Sequence, residues 1–220
     1  MILAAGRGER MRPLSDATPK PLLTVGGRPL IVWLIEALAL AGITELVINV
    51  SHLGERIERT LVRGERWGVR ITYSREVEAL GTAGGIATAL PLLGSTRFLV
   101  VNGDIHTDFD FRRMRVLSAD AERLAHLVLV DNPPHHAVGD FALVGNHVVD
   151  KGEARYTFSG IGLYHPSLFA HIAPGTKHQL VSVLRPQIAA GRVSGERFGG
   201  RWHDVGTPER LAALDHSLAS

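Results

Sequence analysis

The chain has 220 residues, 45% of them hydrophobic, with 24 Lys and Arg against 22 Asp and Glu and no Cys. That length fits one domain, below the roughly 250–300 residues at which single cores stop growing, and the apolar content excludes a disordered chain. A net charge of +2 excludes a strongly basic nucleic-acid binder, and the missing cysteine excludes disulfides, Cys-ligated zinc and a thiol nucleophile. The apolar run Leu30 to Ile43 contains Glu36 and falls short of the roughly 20 residues of a membrane span. No secretory leader is visible. The expectation is a soluble, cytoplasmic monomer with no nucleic-acid or membrane partner.

Met1–Ala5 reads as a strand that empties into a loop with Gly6 and Gly8, then Arg7, Arg10, Arg12 and Lys20. Glycines let backbone N–H groups approach an anion, and guanidinium forks fit phosphate oxygens. The combination predicts a polyphosphate cradle. It is not a P-loop, which needs Gly-Lys-Ser/Thr, nor a dinucleotide fingerprint, since Met11 stands where the third Gly belongs. Pro13, Pro19, Pro21 and Pro29 exclude a helix before about residue 29.

Beyond the loop, strands and helices alternate. A buried helix is expected over Pro29–Ala41, a continuous apolar strand over Glu45–Ser51, a helix over Leu53–Val62 and a strand over Val69–Ser74. A small-residue helix over Thr82–Leu90, a strand over Arg97–Val101, a helix over Phe111–Ser118 and a strand over Leu124–Asp131 follow. This pattern predicts an α/β, Rossmann-like three-layer fold with a mostly parallel, mixed central sheet. After Pro134 the style changes. Asp140–Val144 and His147–Lys151 suggest a hairpin around Gly145-Asn146, and Tyr156–Tyr164 another strand. A helix over Gln179–Ala190, short strands over Arg192–Phe198 and Arg201–Val205, and a helix over Pro208–Ala219 capped by Thr207 complete the chain. In open α/β sheets ligands bind beyond the carboxyl ends of the strands, so the loops after residues 5, 51, 74, 101 and 131 should share one rim.

Asp104 follows an apolar strand on that rim, and Asp204 lies between a short strand and a helix. Two carboxylates facing phosphates suit Mg²⁺, which bridges protein to phosphate and keeps several waters. Sequence separation alone does not show that the two meet. The glycines of Leu80-Gly81-Thr82-Ala83-Gly84-Gly85 permit close approach of a flat base, although helix packing explains them equally well. No acyl-transfer elbow or zinc spacing is present, and surface or hydrogen-bonding roles suit the histidines, including His203 and the pair His135-His136.

The opening Leu3-Ala4-Ala5-Gly6-Arg7-Gly8-Glu9-Arg10-Met11-Arg12-Pro13-Leu14, with Thr18-Pro19-Lys20-Pro21, resembles the sugar-nucleotidyltransferase family. The resemblance implies Mg²⁺-dependent transfer of a nucleotidyl group from a nucleoside triphosphate to a sugar 1-phosphate, with release of pyrophosphate. It implies that Arg10 and Lys20 hold the phosphates and that Asp104 and Asp204 bind the metal. The nucleotide is placed on Leu3, Ala4, Ala5, Gly6, Gly8, Thr82, Gly84, Gly85 and Asn102, and the sugar on Asp140, Ser159 and Gly160. One domain would span 1–220, with a nucleotide half to about residue 131, a sugar half beyond it and no C-terminal β-helix.

Within the family, Leu80-Gly81-Thr82-Ala83-Gly84 is similar to mannose-1-phosphate guanylyltransferases. Residues 132–136, 139–141, 157–161, 193–196 and 202–211 resemble the uridylyltransferases that activate muramic acid 1-phosphates in cell-wall recycling. Gly81, where that branch has Glu, and Lys177-His178-Gln179-Leu180-Val181 depart from its pattern. Muramic acid carries a lactyl carboxylate, for which Arg28 and Arg201 are the candidate partners. A non-catalytic nucleotide-sugar sensor on the same fold is the alternative of another class, weakened because Arg10, Lys20, Asp104 and Asp204 are all present.

Overall fold

A computed structural model describes residues 1–117 and 123–219. From the N-terminus, β1 (Ile2–Leu3) leads into a loop carrying one helical turn, α1 (Leu14–Ala17), and a small ribbon of β2 (Thr24–Val25) with β3 (Arg28–Pro29). Next come α2 (Leu30–Leu40), β4 (Glu45–Val50), α3 (Gly54–Leu61), β5 (Arg70–Arg75), α4 (Gly81–Leu93) and β6 (Phe98–Asn102). They are followed by β7 (Ile105–Thr107), α5 (Arg112–Val116) and β8 (Ala125–Val130). The last third holds β9 (Phe141–Val144), β10 (His147–Val149), β11 (Arg155–Tyr164), α6 (Leu180–Ala189), β12 (Val193–Phe198), β13 (Trp202–Asp204) and α7 (Pro208–Ala219).

Nine strands form one sheet in the order β5-β4-β1-β6-β11-β8-β12-β10-β9. The first four run parallel, as the βα alternation predicts. Strand β11 then runs antiparallel to both β6 and β8, β12 is parallel to β8, and β10 and β9 are antiparallel again. The sheet is therefore mixed, with its parallel character concentrated in the N-terminal half. Strand β9 also pairs with the start of β11, Ala142 opposite Arg155, which folds the far end of the sheet back on itself.

Both faces are covered, which explains why β4 is buried from Leu46 to Val50 and apolar there except for Asn49, instead of alternating. Ile48 and Val50 fall in one hydrophobic cluster with Ile31, Leu34, Ile35 and Leu38 of α2, whereas Val47 belongs to the cluster on the other face with Ala83, Ile86 and Ala87 of α4. Each large side chain buried this way contributes about 1.5–3 kcal/mol. The predicted elements form with shifted ends. Helix α4 continues past Pro91 to Leu93, and α5 ends at Val116, while Ser118 of the predicted helix lies outside the described residues. Two features depart from expectation. The proline-rich loop contains α1 and the β2–β3 ribbon, and β7, only three residues long, pairs with β13 in a separate two-stranded sheet.

Candidate active site

The phosphate loop is organised around Lys20. Gly8 adopts φ 65° and lies so close that a Cβ there would stand 3.2 Å from Lys20 Cβ, and Ser15 Oγ donates to Gly8 O at 2.7 Å. Gly8 thus packs the loop onto the lysine. Lys20 is buried, and its Nζ donates to Asp104 Oδ2. Asp104 is held by the turn after β6, where Gly103 N donates to Leu3 O at 2.8 Å. A side chain at 103 would strike that same carbonyl at 2.6 Å, so the glycine permits β1 and the Asp104 turn to touch.

The β7–β13 pairing brings the second carboxylate in. Asp204 lies opposite Ile105, and Val205 N donates to Asp104 O at 2.9 Å. Asp204 Oδ2 accepts from Arg210 Nη1 at 2.8 Å and lies 3.4 Å from His135 Nε2. Next along β7, burial, reinforced by His203 and Arg201, pushes the His106 imidazole down from its ordinary value, and the ring meets Trp33 edge-on at 5.2 Å.

Two cavities meet at Asn102 and Asp104. The first, of about 200 Å³, is walled by Leu3, Ala4, Ala5 and Gly6 on one side and Leu80, Gly81 and Thr82 on the other, with Lys20 at its mouth. All the nucleotide residues expected from sequence line it except Gly8, Gly84 and Gly85. A Cβ on Gly84 would collide with Thr176 O, and one on Gly85 would stand 2.6 Å from Glu76 Oε1. These two glycines let α4 approach its neighbours, the packing role left open above.

Sequence reasoning missed Asn49 and Glu76, which also line this cavity and are both buried. Ala4 N donates to Asn49 Oδ1 at 2.8 Å, Asn49 Nδ2 to Glu76 Oε1 at 2.6 Å, and Leu80 N to Glu76 Oε2 at 3.0 Å. This chain ties the end of β1 to the start of α4 through β4. The available signal was a lone Asn inside the apolar run of β4 and a Glu directly after β5. The two departures from the uridylyltransferase pattern also touch each other. His178 O accepts from Ala83 N and Gly84 N at 3.1 and 3.2 Å, capping α4, and a Cβ at Gly81 (φ 71°) would meet that oxygen at 2.8 Å.

The second cavity, of about 330 Å³, is lined by Arg10, Asp104 and Asp204 at one end and by His136, Thr157, Phe158 and Ser159 beyond. The Ser159 hydroxyl is turned into the sheet, donating to Val128 O at 2.7 Å, and Gly160 (φ 81°) packs on Asn102 at a bulge in β11. Asp140 holds His136 Nε2 at 3.0 Å and accepts from Phe158 N at 2.8 Å. The arginine candidates are placed elsewhere. Arg28 pairs with Glu36 at 2.7 Å over the Trp33 ring, and Arg201 pairs with Asp108 at 3.1 Å. Neither lines either cavity.

The donor set suits a hard cation. Oδ1 of Asp104 and Oδ1 of Asp204 have no protein partner among the described residues, while each Oδ2 is engaged by a basic side chain. No group of three or more His, Asp or Glu arranged for a metal occurs among the described residues. One oxygen of each carboxylate is thus left without a protein partner among the described residues, a donor pair that fits a cation completing its shell with water and phosphate.

A mixed α/β sheet whose rim carries a Gly/Arg/Lys loop and two apposed aspartates is the arrangement of a nucleotidyl-group transferase. The chain belongs to the nucleotidyl transferase family, whose pattern matches residues 1–220. It is 52% identical over 217 residues to N-acetylmuramate alpha-1-phosphate uridylyltransferase of Neisseria meningitidis serogroup B, covering 96% of this chain and 94% of the relative. It is 29% identical to mannose-1-phosphate guanyltransferase beta-A of Xenopus laevis, covering 95% of this chain and 61% of that protein. A solved structure titled as a putative glucose-1-phosphate thymidylyltransferase from Bacillus anthracis, in complex with a sucrose, superposes with a TM-score of 0.87 at 23% identity, covering 99% and 93% of the two chains.

Proposed function

We propose that this chain transfers the uridylyl group of UTP to N-acetylmuramic acid 1-phosphate, forming UDP-N-acetylmuramic acid and pyrophosphate. The observation that carries the reaction is the Lys20–Asp104 contact at the junction of the two cavities, with Asp204 alongside. The 52% identity with the meningococcal uridylyltransferase supports the substrate pair. In this reading the first cavity takes the base and ribose and the second takes the sugar, which supports a nucleotide half up to about residue 131.

A phosphate oxygen of the sugar 1-phosphate attacks the α-phosphorus of UTP. The bond from that phosphorus to the β-bridging oxygen breaks, and pyrophosphate departs with that electron pair. The nucleophile is already anionic, so no general base is needed, and the protein contributes positioning and charge neutralisation. Lys20 Nζ lies where the two phosphates meet and holds them together. Arg10 reaches the departing β- and γ-phosphates. Asp104 and Asp204 would hold Mg²⁺, which supplies positive charge against the α-phosphate when bound. Arg210 and His135 keep Asp204 aimed into the cavity. The product is a nucleotide sugar of the kind made in cytoplasmic cell-wall recycling.

The test is a pyrophosphate-release screen of UTP, GTP, CTP and dTTP against several sugar 1-phosphates, with and without EDTA. UTP with N-acetylmuramic acid 1-phosphate is expected to turn over fastest, and EDTA to abolish release. Preference for GTP with mannose 1-phosphate would overturn the substrate assignment. Turnover indifferent to EDTA would overturn the metal-assisted step, and binding without any turnover would favour a sensor.

A further inference from the structure

Muramic acid differs from N-acetylglucosamine by one lactyl carboxylate. A site that selects it has to offer that carboxylate a charged or N–H partner, because an unpaired carboxylate loses its hydration without recompense. Arg28 and Arg201 pair with Glu36 and Asp108 and line neither cavity. Of the basic side chains lining the second cavity, Arg10 enters from the phosphate loop, and His135 is occupied by Asp204 and Arg210.

His136 is placed differently. Its Nε2 lies 3.0 Å from Asp140 Oδ1, while Asp140 Oδ2 accepts from Phe158 N at 2.8 Å and Asp140 N donates to Tyr156 O at 2.8 Å. Asp140 is pinned at both ends, so the imidazole it holds is pinned as well. The turn itself is built, since Gly139 N donates to His136 O at 3.2 Å and Asn132 Nδ2 to Ala137 O at 3.1 Å. His136 Nδ1 has no protein partner among the described residues, and the side chain is 40% exposed on the cavity wall beside Phe158. An oriented ring with one nitrogen anchored and the other open on the cavity wall is what a substrate carboxylate requires.

We infer that His136, oriented by Asp140, recognises the lactyl carboxylate and sets the preference for muramic over glucosamine sugars; this rests on the uridylyl-transfer reading above. When the carboxylate docks on Nδ1 the ring lies between two anions, Asp140 and the substrate. Asp140 acts through the histidine and is a positioning residue.

The test measures kcat and KM for His136→Ala, His136→Gln and Asp140→Asn with UTP and three sugars. These are N-acetylmuramic acid 1-phosphate, its lactyl amide and N-acetylglucosamine 1-phosphate. The wild-type enzyme decides the parent reading, which fails if it does not use the muramic substrate. Given that it does, the His136 variants are expected to lose about tenfold or more of the muramic-to-glucosamine ratio of kcat/KM. The loss should fall mainly in the KM for the muramic sugar, with the KM for UTP held within about twofold. The wild type is expected to discriminate against the amide, and the variants to lose that discrimination. Asp140→Asn should move the ratio in the same direction by less. An unchanged ratio, or equal losses on all three sugars, would overturn the inference.

Discussion

Lys20 is a buried cation with an anionic partner, Asp104, and that pairing tells its role apart from the exposed arginines of the same loop. A preorganised positive charge at the reacting phosphates acts in the transition state, so Lys20→Ala is expected to lower kcat by about 10²-fold or more. The variant should still fold, because Lys20 sits in a single 3₁₀ turn at the rim and belongs to none of the hydrophobic clusters that form the core. Circular dichroism with steady-state kinetics separates the outcomes: full activity would remove Lys20 from the reaction, and an unfolded protein would make it structural. Single residues were legible where a local pattern isolated them, as Lys20 between two prolines and Asp104 at a strand end were. Glu76 was not, since its partners are Asn49 in another strand and the backbone of Leu80.

Helix α4 illustrates how an element serves the site through its packing. Gly85 lets the helix lie against the Asn49–Glu76 pair, and a methyl group there would sit 2.6 and 2.9 Å from their polar atoms. Gly85→Ala is therefore expected to destabilise by about 1–3 kcal/mol through overpacking. It should also raise the KM for the nucleotide, because Glu76 fixes Leu80 N. Gly199→Ala, where a Cβ meets nothing within 4 Å, is the control and should stay within about 0.5 kcal/mol. Urea denaturation of both variants decides it, and equal effects would refute the close-approach argument.

Strand β12 carries a second tie between elements. Burial raises the carboxyl of Glu196, but His126 at 3.6 Å and the Arg113 guanidinium outweigh it and hold that carboxyl below its usual range. A carboxylate lowered in the folded state contributes stability above its unfolded pKa, about 4.3, that is lost as pH falls through the folded value. Below about pH 4.3 the wild type should therefore lose stability more steeply than Glu196→Gln, a difference that chemical denaturation across pH 3–7 would reveal. Parallel curves would show that Glu196 does not tie α5 to the sheet.

At the scale of the whole molecule, the sheet collects loops from both halves of the chain onto one rim. Ligands bridging the two cavities should therefore stabilise the fold as a unit. At about 100 times its Kd, UTP with Mg²⁺ adds about 2.7 kcal/mol. For a chain of this size that raises Tm by roughly 5–10 °C. Thermal-shift measurements should show a smaller rise for UTP in EDTA and for GTP at the same concentration. A larger rise with GTP would point to the guanylyl branch.

The sequence by itself determined the α/β alternation, the long Gly/Arg loop after the first strand and the placing of Asp104 beyond a buried strand. Each of these depends on residues near in the chain: apolar periodicity and glycine at a tight turn, whereas the prolines did not keep the loop from forming α1. Only the tertiary structure decided that Asp204 meets Asp104, because that depends on two three-residue strands pairing across about 100 residues, too short to announce themselves. It also decided the fate of the charges. Arg28 and Arg201 looked equivalent to any site arginine until Glu36 and Asp108 claimed them, whereas His136 looked like a surface histidine until Asp140 fixed it on the cavity wall. The type of a charged side chain is written in the sequence, but its partner is set by which strands the sheet brings together.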